Sequence, residues 1–219
     1  MAEQTEKLAG GGFGNRRPTS HERMTGRPWN DSYGGEGAPW DIGRPQAAFA
    51  RAAAEGGFAG AVLDAGCGTG ENGLLAASLG LPVVGVDVAE TALAMARRKA
   101  AERGLEAEFV MADALHLERL GRRFETVLDC GLFHTFNAEE RPGYVASLAS
   151  VTERGGTLYV LCFSDEGEEA GPHPVREEEV REALHVGSGW EIASIERDWI
   201  ETRFGQKRLA AWFVTARRV

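Results

Sequence analysis

The chain has 219 residues, 43% hydrophobic and 26% charged, the size and mixture of one globular domain able to bury its own core. Its formal charge of -9, with Asp and Glu scattered throughout, works against nucleic acid or an anionic membrane surface as partner and favours a free small molecule. Cys67, Cys130 and Cys162 form an odd set without disulfide or zinc spacing, and no stretch approaches the roughly 20 apolar residues of a membrane span, so a cytoplasmic protein without a metal is expected, a monomer or weak homodimer.

Residues 1–25 hold Gly10-Gly11-Gly12-Phe13-Gly14 and then Asn, Arg, Pro, Thr and Ser. Such a stretch has too little apolar surface to offset ordering and reads as a disordered tail, leaving 26–219 as a single domain. Within 26–45, Trp29, Tyr33 and Trp40 sit among glycines and prolines, as loop or short-helix material that folds over a ligand as a lid or plugs one end of the core. A helix is expected over 46–54, then strand 61–64, helix 72–79, strand 82–86, helix 90–103, strands 107–111 and 125–128, helix 139–150 and strand 157–163. Strands alternating with helices of this length imply parallel pairing through right-handed crossovers. A helix over 176–184 precedes two strand-like runs, 190–200 and 209–216, with no helix between them. The expected fold is therefore α/β and doubly wound, a mostly parallel seven-stranded, Rossmann-like sheet ending in an antiparallel hairpin.

The first strand runs into Asp64-Ala65-Gly66-Cys67-Gly68-Thr69-Gly70-Glu71-Asn72-Gly73. Gly68 to Gly73 satisfies the GxGxxG pattern of dinucleotide sites, where backbone N–H groups and a helix dipole hold a pyrophosphate. Here Asp64 and Glu71 flank the loop and would repel that anion; a ligand with a cationic ammonium and sulfonium suits them better. The second strand ends at Asp87, placed to accept hydrogen bonds from both hydroxyls of an adenosine ribose. Asp113, followed by Ala114, ends the third, where it can receive the exocyclic amine of adenine, and Asp129-Cys130 ends the fourth. Four successive strands thus carry Asp at the ends where open parallel sheets bind ligands.

These ordered motifs, over about residues 58–163, resemble those of class I methyltransferases dependent on S-adenosylmethionine (SAM). The resemblance implies that Asp64, Gly66, Gly68, Gly70, Asp87, Asp113, Ala114, Asp129 and Cys130 belong to a SAM site. Upstream, Trp29-Asn30-Asp31-Ser32-Tyr33 and then Pro39-Trp40-Asp41 resemble the N-terminal segment of the thiopurine, thiol and halide methyltransferases, and heterocycle and quinone methyltransferases of actinobacterial type are also similar. That likeness implies that Trp29, Tyr33 and Trp40 cover SAM. Tyr33 stands where plant relatives carry Trp, and Cys130 where they carry Tyr.

Transfer of a methyl group from a sulfonium needs alignment and exclusion of water more than an acid, a base or a metal. For that reason the acceptor, a thiol, halide, heterocyclic nitrogen or phenolic oxygen, scarcely marks the sequence. If the acceptor must lose a proton, His134, after the fourth strand, is the candidate base; lining between aromatics is its other reading. His116 is expected at the surface and His173 in a long loop, 164–174, with the acidic run 165–169 solvated. Arg44 is a candidate partner for an anionic acceptor or SAM's carboxylate, or a surface residue. Cys130 need not be a nucleophile, because direct transfer requires no enzyme-bound intermediate. A catalytically silent SAM-binding regulator and an NAD-dependent oxidoreductase are the alternatives.

Overall fold

The computed structural model describes residues 16–35, 37–167, 171–203 and 208–219. In chain order its regular elements are α1 (Ser20–Thr25), α2 (Ala47–Ala54), β1 (Val62–Ala65), α3 (Glu71–Ser78), β2 (Val83–Asp87), α4 (Glu90–Arg103), β3 (Glu108–Met111), β4 (Phe124–Cys130), α5 (Arg141–Val151), β5 (Thr152–Phe163), α6 (Glu177–Ala183), β6 (Trp190–Glu201) and β7 (Arg208–Arg218). Short 3-10 turns at Trp29–Tyr33, Ala114–Leu120 and Phe133–Thr135 bear on the site.

The seven strands lie in the order β3-β2-β1-β4-β5-β7-β6. The first five pair in parallel, and β7 runs antiparallel between β5 and β6. Chain progression reverses between β1 and β4, so the crevice beyond their C-terminal ends is the topological switch point, where open α/β sheets bind ligands. Strand residues alternate between the two faces: Leu63, Val127 and Leu158 pack with Tyr144, Leu148 and Trp190, while Val62, Leu128 and Tyr159 pack with Phe49, Phe58 and Phe213. Both faces are covered, which is why these strands read as nearly continuous apolar runs.

The N-terminal segment departs from the expected tail. Residues 1–15, with the glycine run, lie outside the described residues, but 20–25 form α1, closed by a capping box in which Thr19 and Glu22 cap each other's backbone. The Ser20 hydroxyl donates to the Thr135 carbonyl at 2.6 Å, and Arg23 pairs with Glu140 at 2.8 Å, docking α1 on the connection after β4. Glu22 is wholly buried, its carboxylate held by the Arg16 guanidinium and by the Thr19 and Trp29 N–H groups at 3.0 and 3.1 Å. Polar anchors between residues far apart order this segment, and apolar patterning carries no trace of them.

Candidate active site

The turn from β1 to α3 passes through Gly66, Gly68 and Gly70, all with positive φ. At Gly68, φ is 53°, and a Cβ would stand 2.9 Å from the Tyr33 hydroxyl; at Gly70, φ is 84°, and a Cβ would meet the Phe109 ring at 2.9 Å. Both the left-handed backbone and the close approach exclude a side chain there.

The strand-end carboxylates fall into two groups. Asp87 sits on the cavity wall, accepting the Gly68 and Ala89 N–H groups at 2.8 Å each, with its pKa raised by burial. Asp113 also lines the cavity; one of its oxygens accepts the Leu115 N–H at 2.9 Å and starts the turn that follows. Asp64 and Asp129 lie behind the wall. Asp64 accepts the Gly73 N–H at 2.8 Å through Oδ2, its Oδ1 has no hydrogen-bond partner among the described residues, and burial, with the charges of Asp87 and Asp129, pushes it up to about 7. Asp129 accepts the Leu132 and Phe133 N–H groups and the Tyr144 hydroxyl, the last at 2.7 Å, and burial pushes it up to about 6. It shapes the loop after β4 from beneath.

Glu71 lies on the wall without the free charge expected of it. Arg103 grips both its oxygens at 2.8 and 2.9 Å and Lys99 approaches to 2.8 Å; burial pushes its pKa up, but the two cations together draw it below the carboxylate norm. Of the two carboxylates expected to repel a pyrophosphate, only Asp64 keeps that role. Lys99 also donates to Thr69 at 2.6 Å and reaches Asp41 at 3.5 Å, so one ammonium joins α4, the glycine turn and the N-terminal segment.

That segment crosses the mouth of the site. Tyr33 is buried against Ala38, Ala89 and Ala92, and Trp40 donates its indole N–H to the Tyr33 hydroxyl at 3.3 Å. Trp29 meets Trp40 edge-on at 5.9 Å and stacks on His21 with ring centroids 4.4 Å apart.

One cavity of about 670 Å³ joins these parts, within the range of small-molecule sites. Trp29, Tyr33, Trp40, Gly66, Gly68 and Asp87 line it, as do Asp113, Ala114, Cys130 and His134; of the expected site residues, Asp64, Gly70 and Asp129 do not. Its lining includes the apolar side chains Phe136, Phe163, Ile200 and Leu209. Arg16, His21 and His173 also line it; the first two fall in the segment expected to be disordered, and nothing in their spacing marks them. Arg44 reaches the cavity with its guanidinium 2.8 Å from Glu201, which takes up its charge. His116 is half exposed beside Glu118, at the surface as expected, and the end of the acidic run, 168–169, lies outside the described residues.

His134 has a specific partner. Strand β4 ends at Cys130 and leaves the Phe163 N–H of β5 without a strand acceptor; His134 Nδ1 takes it at 3.3 Å. The ring is 7% exposed, and burial, followed by the charges of His173, His21 and Arg141, lowers its pKa to about 3. A neutral imidazole accepting at Nδ1 carries its hydrogen on Nε2 and offers a donor. This geometry disfavours the base expected at His134.

A family model described as a methyltransferase domain matches residues 62–156. The 2-heptyl-1-hydroxyquinolin-4(1H)-one methyltransferase of Mycobacteroides abscessus is 34% identical over 201 residues, covering 82% of this chain and 88% of its own. The chain belongs to the class I SAM-dependent methyltransferases. A solved structure from work on the conversion of a disulfide bond into a thioacetal group during echinomycin biosynthesis is similar to this methyltransferase at a TM-score of 0.78, with 36% identity over 87% of this chain and 91% of its own. The magnesium protoporphyrin IX methyltransferase of Synechocystis, solved with bound S-adenosylhomocysteine, is similar at a TM-score of 0.61, with 25% identity over 78% of this chain and 80% of its own.

SAM is the cofactor of this methyltransferase, and the site fits it. An unpartnered, buried Asp64 oxygen under the glycine turn suits a cationic ligand, the turn itself has no room for side chains, and a carboxylate ends β2 on the wall. It is an enzyme acting on a small molecule, and among the described residues no helix is long and apolar enough to cross a membrane.

Proposed function

We propose that this methyltransferase methylates the hydroxyl oxygen of an aromatic nitrogen heterocycle that bears an apolar substituent. The observation that carries this reading is the cavity lining, in which Phe136, Phe163, Ile200 and Leu209 add apolar surface to that of Trp29 and Trp40, suited to a flat ring with an apolar substituent. Similarity along most of the chain to a relative named for a heptyl-substituted hydroxyquinolone supports it.

When bound, SAM supplies a methyl carbon on a positively charged sulfur that is already a good leaving group. The chain's own residues bind, align and exclude water. Asp87 accepts the ribose hydroxyls, Asp113 with Ala114 receives the adenine, and Gly66 and Gly68 let the backbone approach. Asp64 opposes the ligand's ammonium from beneath the turn, with Gly70 and Asp129 fixing the two loops from behind. Trp29, Tyr33 and Trp40, within 26–45, act as the lid, and Cys130 lies at the β4 end of the floor. His134 donates from Nε2 to an acceptor oxygen. Three cysteines free of disulfides suit a reducing cytoplasm, and the enzyme acts as a monomer or weak homodimer.

The test is an acceptor panel of hydroxylated quinolones, simple phenols, thiols and halides incubated with SAM and followed by mass detection of product. Hydroxylated quinolones should lead the panel; preferential turnover of thiols or halides would overturn the acceptor class.

A further inference from the structure

Methyl transfer from a cationic sulfur to a neutral acceptor that bears a hydrogen, X–H, releases one proton, and that proton must leave a largely apolar cavity. Deepening the function proposed above and resting on it, we propose that the His21–His173 pair, and not His134, receives it. The two rings come from distant parts of the chain: His21 from α1, His173 from the connection between β5 and α6. Both line the cavity, and His21 Nδ1 lies 3.2 Å from His173 Nε2.

Two neutral imidazoles joined nitrogen to nitrogen share one hydrogen, which leaves the pair with one free donor and one free acceptor. If His21 donates, its Nε2 is the free acceptor; if His173 donates, its Nδ1 is. In either arrangement the pair has one nitrogen able to take a proton, the property that the Phe163 bond denies to His134. The step balances as a displacement with loss of one proton. The X–H bond breaks and its electron pair stays on X, the bond from X to the methyl carbon would form as the carbon–sulfur bond breaks with its pair kept by sulfur, leaving S-adenosylhomocysteine, and the proton joins the free ring nitrogen, from which solvent later removes it.

The surroundings accommodate the charge that results. His21 stacks on Trp29 with the rings 11° from parallel, an arrangement that favours a cationic ring. Burial lowers the pKa of His21 and the neighbouring His173 lowers it further, while the adjacent Glu22 carboxylate raises it and opposes that loss. Among the described residues, charged groups near the pair are matched: Arg16 with Glu22, Arg23 with Glu140, and Arg141 with Glu179 at 2.7 Å. His173 has φ of 55°, a backbone conformation uncommon outside glycine that holds its ring toward α1.

His21→Phe keeps the ring stacked on Trp29 and removes the nitrogens; His173→Asn removes the ring and tolerates the left-handed backbone. Calorimetry should give SAM affinity within about twofold of native for His173→Asn, whose ring the structure pairs with His21, while His21→Phe reports on turnover relative to whatever affinity it keeps. Turnover of a hydroxylated acceptor should fall by about 10²-fold at neutral pH and recover as the pH approaches the acceptor's own pKa, while an acceptor with an unprotonated ring nitrogen should lose little. Nitrogen-15 spectra of the native protein saturated with S-adenosylhomocysteine, over about pH 5 to 8, should show His134 as the neutral Nε2–H tautomer throughout and His21 and His173 gaining one proton together. Equal losses on both acceptors, unchanged turnover, or a His134 ring that gains the proton would overturn the assignment. If the native protein methylates no hydroxylated heterocycle, the proposed acceptor class fails, and the spectra still decide which ring takes the proton.

Discussion

Tyr33 sets its hydroxyl against Gly68, 2.9 Å from where a Cβ would stand, so the segment proposed as a lid packs directly on the glycine turn. Gly68→Ala would force a methyl group into that contact and into a left-handed backbone. SAM affinity should fall by at least about tenfold, roughly the effect of 1.4 kcal/mol, because the loss falls on the junction of lid and turn. Calorimetric titration checks this; native affinity in the variant would mean that lid and turn are uncoupled.

Asp87 holds the same turn from the sheet side through the Gly68 and Ala89 N–H groups. Charge-assisted hydrogen bonds are each worth about 1.5–3 kcal/mol, so Asp87→Ala should both lower the melting temperature and weaken SAM at least about tenfold. A lower melting temperature with unchanged SAM affinity would reduce Asp87 to a loop anchor.

The periodic part of the molecule was legible from sequence. All seven strands were foreseen, and the helix over 90–103 coincides with α4, because buried parallel strands and amphipathic helices write their periods into apolar positions. Strand β5 starts at Thr152, earlier than expected, since the irregular pairing between Phe124 and Thr126 lets polar residues extend it. The glycine turn and Asp87 were legible because backbone geometry and strand ends demand particular residue types. Invisible were relationships between distant residues: the neutralisation of Glu71 by Arg103 and Lys99, the Phe163 N–H that occupies His134, and the anchors that order α1 and bring His21 to the cavity. No periodicity or local spacing encodes such pairs.

Three buried carboxyls give the SAM-free protein a characteristic pH dependence. Burial raises Asp64 to about 7, Asp129 to about 6 and Asp87 above its norm. A carboxyl raised on folding binds its proton more tightly in the folded state, so stability falls as the pH climbs from near 4 through the raised value. His134 and His21, whose pKa values burial lowers, act with the opposite sign below about pH 6.5, so the carboxyl effect is read as a difference: relative to Asp64→Asn, the native melting temperature should fall between about pH 5 and pH 8. A difference between native protein and Asp64→Asn that does not change over this interval would contradict the burial of the Asp64 charge.

Deleting residues 1–45 tests the lid. The strands and the helices packed on them all lie downstream, so the truncated chain should keep a cooperative thermal transition while losing SAM binding, because Trp29, Tyr33, Trp40 and the Lys99–Asp41 link go with the segment. Circular dichroism and calorimetry report the two properties separately. Retained SAM turnover would show that the segment is dispensable.

The most direct test of the account is a quantitative assay of S-adenosylhomocysteine and methylated product, by mass spectrometry, after incubating the native enzyme with SAM and a hydroxylated, alkyl-substituted quinolone. Equimolar S-adenosylhomocysteine and O-methylated quinolone, both lowered at least about tenfold by Asp87→Ala at limiting SAM, is the predicted result. Calorimetric binding of SAM with no S-adenosylhomocysteine formed from any acceptor in the panel would contradict it.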